Sequence, residues 1–273
     1  TMTITASNGM VIINDGSTTN NSSLSLTFIS SETTSNFAIG DITVSGGSVS
    51  SFSGSGTTYY ATFTPSASGA TTIDVAGSTF TDAAGNNNSA ASQFNWTYDG
   101  TLPTITGVSL ASDNSTIAVT FSEAVYNTAG GSGSLETSDF VFSISGGSAT
   151  LSSSTPSSIS ASSNTYTLGI SLSGTANGSE TLTVNPANSA IFDVVGNAAS
   201  NSQSNNTETL NSANYVLELN GSNEMASYSH TTNLEPTDWS IQAWIDPNAL
   251  PNSGNNMWVI SKHQVYRLGL RNT

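Results

Sequence analysis

The sequence predicts an all-β protein made of small β-sandwiches in tandem, followed by part of a β-domain of another kind. Apolar and polar residues alternate at a period of two in many short runs, as in half-buried antiparallel strands, and no stretch has a helical period. Charged residues make up 8% of the chain, against about 25% in an ordinary globular protein. Ser, Thr, Asn and Gly take their place, and these residues favour turns and extended structure. The motif Asp-x-x-Gly-Asn occurs twice, at Asp82 and Asp193, and 193 − 82 = 111 residues separate the two copies. This spacing is close to the ~100 residues of one small β-sandwich.

Residues 1–99 form the first predicted sandwich. Its alternating runs are separated by turn-forming segments such as Asn14-Asp-Gly16 and Ser45-Gly-Gly47. The apolar members of the runs are Leu24, Leu26, Phe28, Ile42, Val44, Tyr59, Ala61, Phe63, Ile73, Val75, Phe94, Trp96 and Tyr98.

Residues 100–103 are predicted to be a linker, because Pro103 cannot donate a hydrogen bond to a central strand ladder. So short a linker restricts the motion of the domains that it joins. Residues 104–210 form the second predicted sandwich. Its alternating apolar residues are Ile117, Val119, Phe121, Phe140, Phe142, Ile144, Leu168, Ile170, Leu172, Leu182 and Val184.

Residues 211–273 differ in composition from the rest of the chain. They hold three of the four Trp, both His and every basic residue. Alternating runs at 239–245, 258–260 and 266–270 predict strands of a different β-domain, which is incomplete. We expect the chain to be part of a longer polypeptide.

Each Asp-x-x-Gly-Asn motif comes directly after an apolar run that ends in an aromatic residue, Phe80 in one case and Phe192 in the other. We interpret both runs as strands and both motifs as the turns that follow them.

The charge of the chain excludes two classes of partner. Its formal net charge is −15, and its only basic residues are Lys262, Arg267 and Arg271. Binding to nucleic acid or to an anionic membrane surface requires basic side chains, so neither is expected. No apolar run is long enough to span a membrane, and no membrane insertion is expected. An uncompensated acidic surface attracts divalent cations.

The absence of Cys leaves no disulfide framework, which secreted eukaryotic sandwiches often have. A bacterial surface protein or a virion protein fits this composition better.

Three segments carry family resemblances. Residues 1–99 resemble a bacterial immunoglobulin (Ig)-like repeat through Phe37-Ala-Ile-Gly-Asp-Ile-Thr-Val44, Tyr60-Ala-Thr-Phe-Thr-Pro65 and Phe80-Thr-Asp-Ala-Ala-Gly-Asn86. Residues 104–210 resemble a second bacterial Ig-like type through Ala118-Val-Thr-Phe-Ser-Glu-Ala-Val125, Ser138-Asp-Phe140 and Ile191-Phe-Asp-Val-Val-Gly-Asn197. Residues 211–273 resemble the N-terminal part of a laminin-G-like, concanavalin-A-type jelly roll through Leu217-Glu-Leu-Asn-Gly-Ser-Asn223, Trp239-Ser-Ile-Gln-Ala-Trp-Ile245, Ile260-Ser-Lys262 and Tyr266-Arg-Leu-Gly269.

The resemblance implies a spacer from a large bacterial surface adhesin or from a structural protein of a marine phage. It also implies calcium at the joints between domains. Carboxylate and amide oxygens suit Ca²⁺, but the same side chains are common in turns, where they accept backbone hydrogen bonds. Both interpretations stand. The predicted calcium ligands are Asp82, Asn86, Asp99 and Asp15 at one end of the first sandwich, and Asp193, Asn197, Glu123 and Asp113 in the second.

Residues 211–273 contain the candidate ligand-binding residues. Asn220 and Asn223 flank a turn where related domains often carry Asp, so the residues fit either a weak cation site or a simple strand-to-strand turn. Trp258 follows a polar loop and is the tryptophan best placed to stack on a sugar ring, although Trp at strand period is more often part of a core. His230 and His263 have carboxylates nearby in sequence, but nothing sets a nucleophile beside a base, and no catalytic residue is predicted.

The main hypothesis is a non-enzymatic structural or adhesive protein, located outside a bacterial cell or on a virion. In it an Ig-like stalk presents a laminin-G-like module to a cell-surface glycan or protein. One alternative is a lectin-like module that binds glycans. Another is a fibre, capsid or tail subunit that forms homo-oligomers or virion assemblies through open strand edges.

Overall fold

The computed structural model describes residues 1–212, 256–262 and 266–271. Within these ranges the chain is all-β, as predicted, and its only helical elements are two short 3₁₀ turns at Ile39–Asp41 and Thr137–Asp139. None of the described helices is long and apolar enough to cross a membrane.

The first sandwich consists of two four-stranded sheets that enclose one core. One sheet has the order β2-β1-β4-β6, and the other has the order β3-β8-β7-β5. All neighbours are antiparallel except β3 and β8. The strands are β1 (Met2–Ser7), β2 (Ile12–Ile13), β3 (Ser17–Thr19), β4 (Leu24–Thr34), β5 (Ile42–Ser45), β6 (Gly47–Pro65), β7 (Gly69–Val75) and β8 (Phe94–Tyr98).

Alternation along these strands places one set of side chains in the core, as the sequence predicts. In β1, Met2, Ile4 and Ala6 are buried, whereas Thr3 and Thr5 are exposed. The largest fully buried side chain of the first sandwich is Trp96, whose indole Nε1–H donates to Thr19 Oγ1 at 3.0 Å. That bond satisfies the one polar atom of the indole inside an apolar cluster.

The second sandwich has its own core, separate from the first. Its sheets have the orders β13-β14-β10-β9, β11-β16-β17 and β12-β15, all antiparallel. The strands are β9 (Ile105–Leu110), β10 (Thr116–Phe121), β11 (Phe140–Ser145), β12 (Thr150–Leu151), β13 (Ile159–Ser162), β14 (Thr165–Gly169), β15 (Leu172–Ser173), β16 (Thr181–Pro186) and β17 (Thr207–Thr209).

The chain enters each sandwich at one end and leaves it at the other. In the first sandwich Thr1 bonds Ser31, near the end of β4, whereas Asp99 N donates to Thr19 O, before the start of β4. In the second sandwich Thr104 bonds Ser122, just after β10, and Asn211 N donates to Asn114 Oδ1, just before β10. Each sandwich therefore separates its two chain ends by about one strand length, ~20 Å for six residues.

Contacts along the chain divide it into two compact units, Thr1–Tyr215 and Val216–Thr273. In the second unit the structure describes β18 (Asn256–Lys262) and β19 (Tyr266–Arg271), which pair antiparallel with a bulge between Trp258 and Ile260. Other predictions for this unit, including those for Asn220, Asn223, His230 and His263, lie outside the described residues. The domain boundaries and the laminin-G-like resemblance stay predictions.

Candidate functional site

The best-formed polar site in the described residues is the joint between the two sandwiches. We define the joint as the linker at 99–103 together with the turn at 193–197, called the second turn below. The corresponding turn at 82–86 is called the first turn.

The second turn is built around the carboxylate of Asp193. Its Oδ1 accepts hydrogen bonds from the backbone N–H groups of Val195 at 3.0 Å, Gly196 at 2.7 Å and Asn197 at 2.7 Å. The Asn197 side chain then donates from Nδ2 to Asp193 Oδ2 at 2.8 Å. An aspartate commonly holds a turn in this way, and Gly196 supplies the positive φ of 97° that the turn requires.

The second turn also forms hydrogen bonds with the linker that leads out of the first sandwich. Asn197 Nδ2 donates to the carbonyl oxygens of Asp99 at 2.9 Å and Thr101 at 3.2 Å. Asp193 is fully buried and Asn197 is 9% exposed. A side chain of the second sandwich thus fixes the backbone that arrives from the first.

The first sandwich holds the same linker from the other side. Asp99 N donates to Thr19 O at 3.0 Å, and Gly100 N donates to Ser68 Oγ at 2.9 Å. Thr101 Oγ1 is within 3.2 Å of the same serine hydroxyl. Hydrogen bonds from both sandwiches therefore constrain three consecutive linker residues.

Negative charge accumulates at the joint. Burial raises the pKa of Glu123, and the charges of Asp193 and Asp99 raise it further. The negative charges of Asp193 and Asp99 thus repel that of Glu123. In the described part of the chain, however, no three acidic or histidine side chains converge closely enough to hold a metal ion.

The structure separates residues that we predicted to lie together. Asp99 was grouped with Asp82, but it lies at the opposite end of the first sandwich and contacts the second turn instead. Asp15 accepts from Asn95 N at 2.6 Å, at the start of β8, whereas Asp99 follows the end of that strand. These groupings are wrong because a linker residue faces the next sandwich as well as its own.

Asp113 is likewise far from the joint. It lies in the turn between β9 and β10, at the end of β9 remote from the linker, and its Oδ1 accepts from Ser115 N and Oγ. The predicted grouping of Asp113 with Asp193 is therefore wrong.

The first turn has the internal bonds of the second except the one from its glycine N–H to the aspartate side chain. Asp82 Oδ1 accepts from Ala84 N and Asn86 N, and Asn86 Nδ2 donates to Asp82 Oδ2 at 2.8 Å. The side-chain amide of Asn86, followed by its backbone N–H, lowers the pKa of Asp82. Neither motif follows a strand directly, contrary to our interpretation, because Phe80 lies in an irregular segment and Phe192 makes only isolated bridges.

Three structurally important residues were not predicted from the sequence: two serines and one glutamate. Ser31 and Ser122 each bond the first residue of a sandwich, Thr1 and Thr104 respectively. A signal was present, since Ser-Glu follows an alternating strand run both at 31–32 and at 122–123. The third missed residue is Glu180, which stands in a short Gly-Ser-Glu segment with no distinguishing pattern.

Glu180 is a fully buried carboxylate, the kind of residue that can mark a catalytic site. Here its oxygens accept from four backbone N–H groups, those of Ser148, Ala149, Asn177 and Gly178. Burial opposes ionisation, but these bonds outweigh it and lower the pKa to about 2. A carboxylate that is ionised at neutral pH and bonded by four backbone N–H groups holds a loop in place and is poorly suited to transfer protons there.

Comparison with protein families identifies part of the chain. Residues 3–98 match the family model of a bacterial Ig-like domain, which confirms the resemblance predicted for the first sandwich. Comparisons with curated proteins and with solved structures returned no match.

Proposed function

We propose that the protein is a non-enzymatic structural spacer in which Ig-like sandwiches joined in series carry a further module away from a surface. The observation that carries the proposal is the joint. Asn197 of the second sandwich bonds the linker carbonyls of Asp99 and Thr101, while Ser68 and Thr19 of the first sandwich bond the same segment. The match of residues 3–98 to a bacterial Ig-like domain agrees with a surface or structural role.

The position of the chain ends supports a serial arrangement. A sandwich that receives the chain at one end and releases it at the other adds its strand length to the distance between its neighbours. Two neighbouring domains usually move relative to one another unless their interface holds them. At this joint the hydrogen bonds to three linker residues, together with buried Pro103, limit that motion.

We place the spacer outside a bacterial cell or on a virion. A net charge of −15 keeps such a surface soluble and repels anionic polymers. The module that it presents is the laminin-G-like part proposed for residues 211–273, with Trp258 as the residue for a glycan. Assembly of the chain into fibres or virion particles is the alternative, and light scattering separates a monomer from an assembly.

Calcium at the joint is part of this proposal, because Glu123, Asp193 and Asp99 bring uncompensated negative charge together. A bound cation would offset that repulsion and stiffen the joint further. Asp193 has both oxygens engaged by N–H donors and Asn197 occupies the carbonyls of Asp99 and Thr101, so the Glu123 carboxylate is the group that would turn toward an ion.

Small-angle X-ray scattering of the full chain tests the spacer function. The variant Asn197→Ala should scatter as a more compact and more heterogeneous particle than the unaltered chain, because the linker loses its partner. The matched variant Asn86→Ala should scatter like the unaltered chain, because within the part of the chain that the structure describes Asn86 bonds Asp82 and no linker. Identical curves for all three chains would contradict a joint held by Asn197.

A further inference from the structure

The two sandwiches begin with the same pair of hydrogen bonds between a serine and the first threonine. The residues around the two starting points can therefore be compared position by position. Ser31 N donates to Thr1 O at 2.9 Å, and Ser122 N donates to Thr104 O at 2.8 Å. The hydroxyl of each serine accepts from the nitrogen of its threonine, at 2.9 Å from Thr1 and 3.1 Å from Thr104. Thr1 is therefore the structural equivalent of Thr104.

The first and second turns are also equivalent in their backbone. Asp82 N and Asp193 N each donate to the carbonyl of the asparagine four residues later, at 3.0 Å in both cases. Gly85 has a φ of 89° and Gly196 a φ of 97°. Asn86 consequently presents its side-chain amide in the same setting as Asn197.

The two turns differ chiefly in what covers them. A Cβ on Gly196 would lie 3.3 Å from Ala129 Cβ and 3.7 Å from Asn20 Nδ2 of the first sandwich, whereas a Cβ on Gly85 would meet nothing within 4 Å. The first turn instead lines an open pocket of about 150 Å³, beside Thr1, Ser31 and Glu32. Asn86 donates to Asp82 there and, among the described residues, to no carbonyl of another segment.

We propose that the first turn is a docking seat for an extended linker that runs into Thr1 from a further Ig-like sandwich on its N-terminal side. In the second turn the bonded carbonyls stand 104 − 99 = 5 and 104 − 101 = 3 positions before Thr104. Asn86 Nδ2 would accordingly donate to the carbonyls five and three positions before Thr1. The inference rests on the proposed spacer function and extends the string of sandwiches by one joint.

The occupant is defined by backbone chemistry. At the second turn Asn197 contacts the linker through Nδ2 alone, so the seat selects an extended segment with two carbonyls on one face and no bulky side chain between them. The segment Asp99-Gly-Thr-Leu-Pro103 meets this requirement at the second turn, with Gly100 between the two bonded carbonyls.

The test is a fused chain in which a copy of residues 1–103 directly precedes Thr1 of the full protein. The copy carries Asn86→Ser, so the only Asn86 signal comes from the seat under test. Nuclear magnetic resonance then measures hydrogen exchange of the Asn86 side-chain amide in the fused and the unfused protein. We expect exchange to slow by about tenfold on fusion, the protection given by one to two added hydrogen bonds.

A second chain carries only Asp-Gly-Thr-Leu-Pro before Thr1 and requires no added sandwich to fold. It should show a smaller slowing at Asn86. Unchanged exchange of Asn86 in both chains, with the Asn197 amide still protected, would overturn the seat and leave the spacer function standing. Rapid exchange of Asn197 itself would count against the spacer function.

Discussion

Replacing Asn197 by alanine removes one side-chain amide that serves three acceptors. Its Nδ2 lies 2.8 Å from Asp193 Oδ2, 2.9 Å from Asp99 O and 3.2 Å from Thr101 O. A hydrogen bond contributes about 0.5–1.5 kcal/mol net, and bonds to a charged group contribute more. One N–H bonds the buried Asp193 carboxylate and the other is shared between the two linker carbonyls, which together predict a loss of about 2–4 kcal/mol in the free energy of unfolding.

The matched control is Asn86→Ala. Asn86 is exposed and, in the described ranges, donates from its side chain to Asp82 alone, so its loss should cost about 0.5–1 kcal/mol. Urea titration followed by circular dichroism gives both free energies, and peptide-level hydrogen exchange locates the change. In Asn197→Ala the faster exchange should be concentrated at 99–105 and 193–199. Equal losses in the two variants, or a loss below about 0.5 kcal/mol in Asn197→Ala, would refute the reasoning.

Four further predictions concern carboxylates. Glu180→Gln should lower the free energy of unfolding by about 2–3 kcal/mol at pH 7, because an amide NH₂ would face backbone donors; Glu32→Gln, at an exposed site, should change it by less than about 0.5 kcal/mol. Since the folded pKa of Glu180 is about 2, below its ordinary value, the stability that it contributes is present at neutral pH and is lost as the pH falls toward 2; equal acid sensitivity of the Glu180→Gln variant and the unaltered chain would contradict this. The pKa of Glu123 is raised, so its ionised form destabilises the fold: Glu123→Gln should raise the melting temperature at pH 7, and the gain should vanish in acid, where Glu123 is protonated in both states. If calcium binds at the joint, millimolar calcium should raise the melting temperature relative to chelator, and Glu123→Gln should reduce the rise; equal melting temperatures with calcium and chelator would contradict calcium binding.

The strands were predictable from the sequence because the signal for them is local. In β4 and β10, alternate residues such as Leu24, Leu26, Ile117 and Val119 face the cores, and period two alone specifies that arrangement. The interpretation of both motifs as turns was correct for the same reason, since an aspartate bonds N–H groups within four residues of itself.

The joint could not be predicted in the same way. Asn197 bonds carbonyls that are 98 and 96 residues earlier in the chain, and nothing in the local sequence of either segment encodes that contact. Asn86 and Asn197 stand in nearly the same motif, yet one is exposed and the other is buried. Asn197 contacts the linker that precedes its sandwich, whereas Asn86 contacts no such segment among the described residues. For the same reason Asp99 was assigned to the wrong end of its sandwich.

The distance between the two sandwiches tests the central claim most directly. The chain has no Cys, so spin labels can be attached at two introduced cysteines, Thr3→Cys on β1 and Ser143→Cys on β11, both exposed. Pulsed electron paramagnetic resonance should give one narrow distance distribution for this chain and for its Asn86→Ala variant, and a broad one for its Asn197→Ala variant. A broad distribution in all three chains, or a narrow one that survives Asn197→Ala, would contradict a joint held by Asn197.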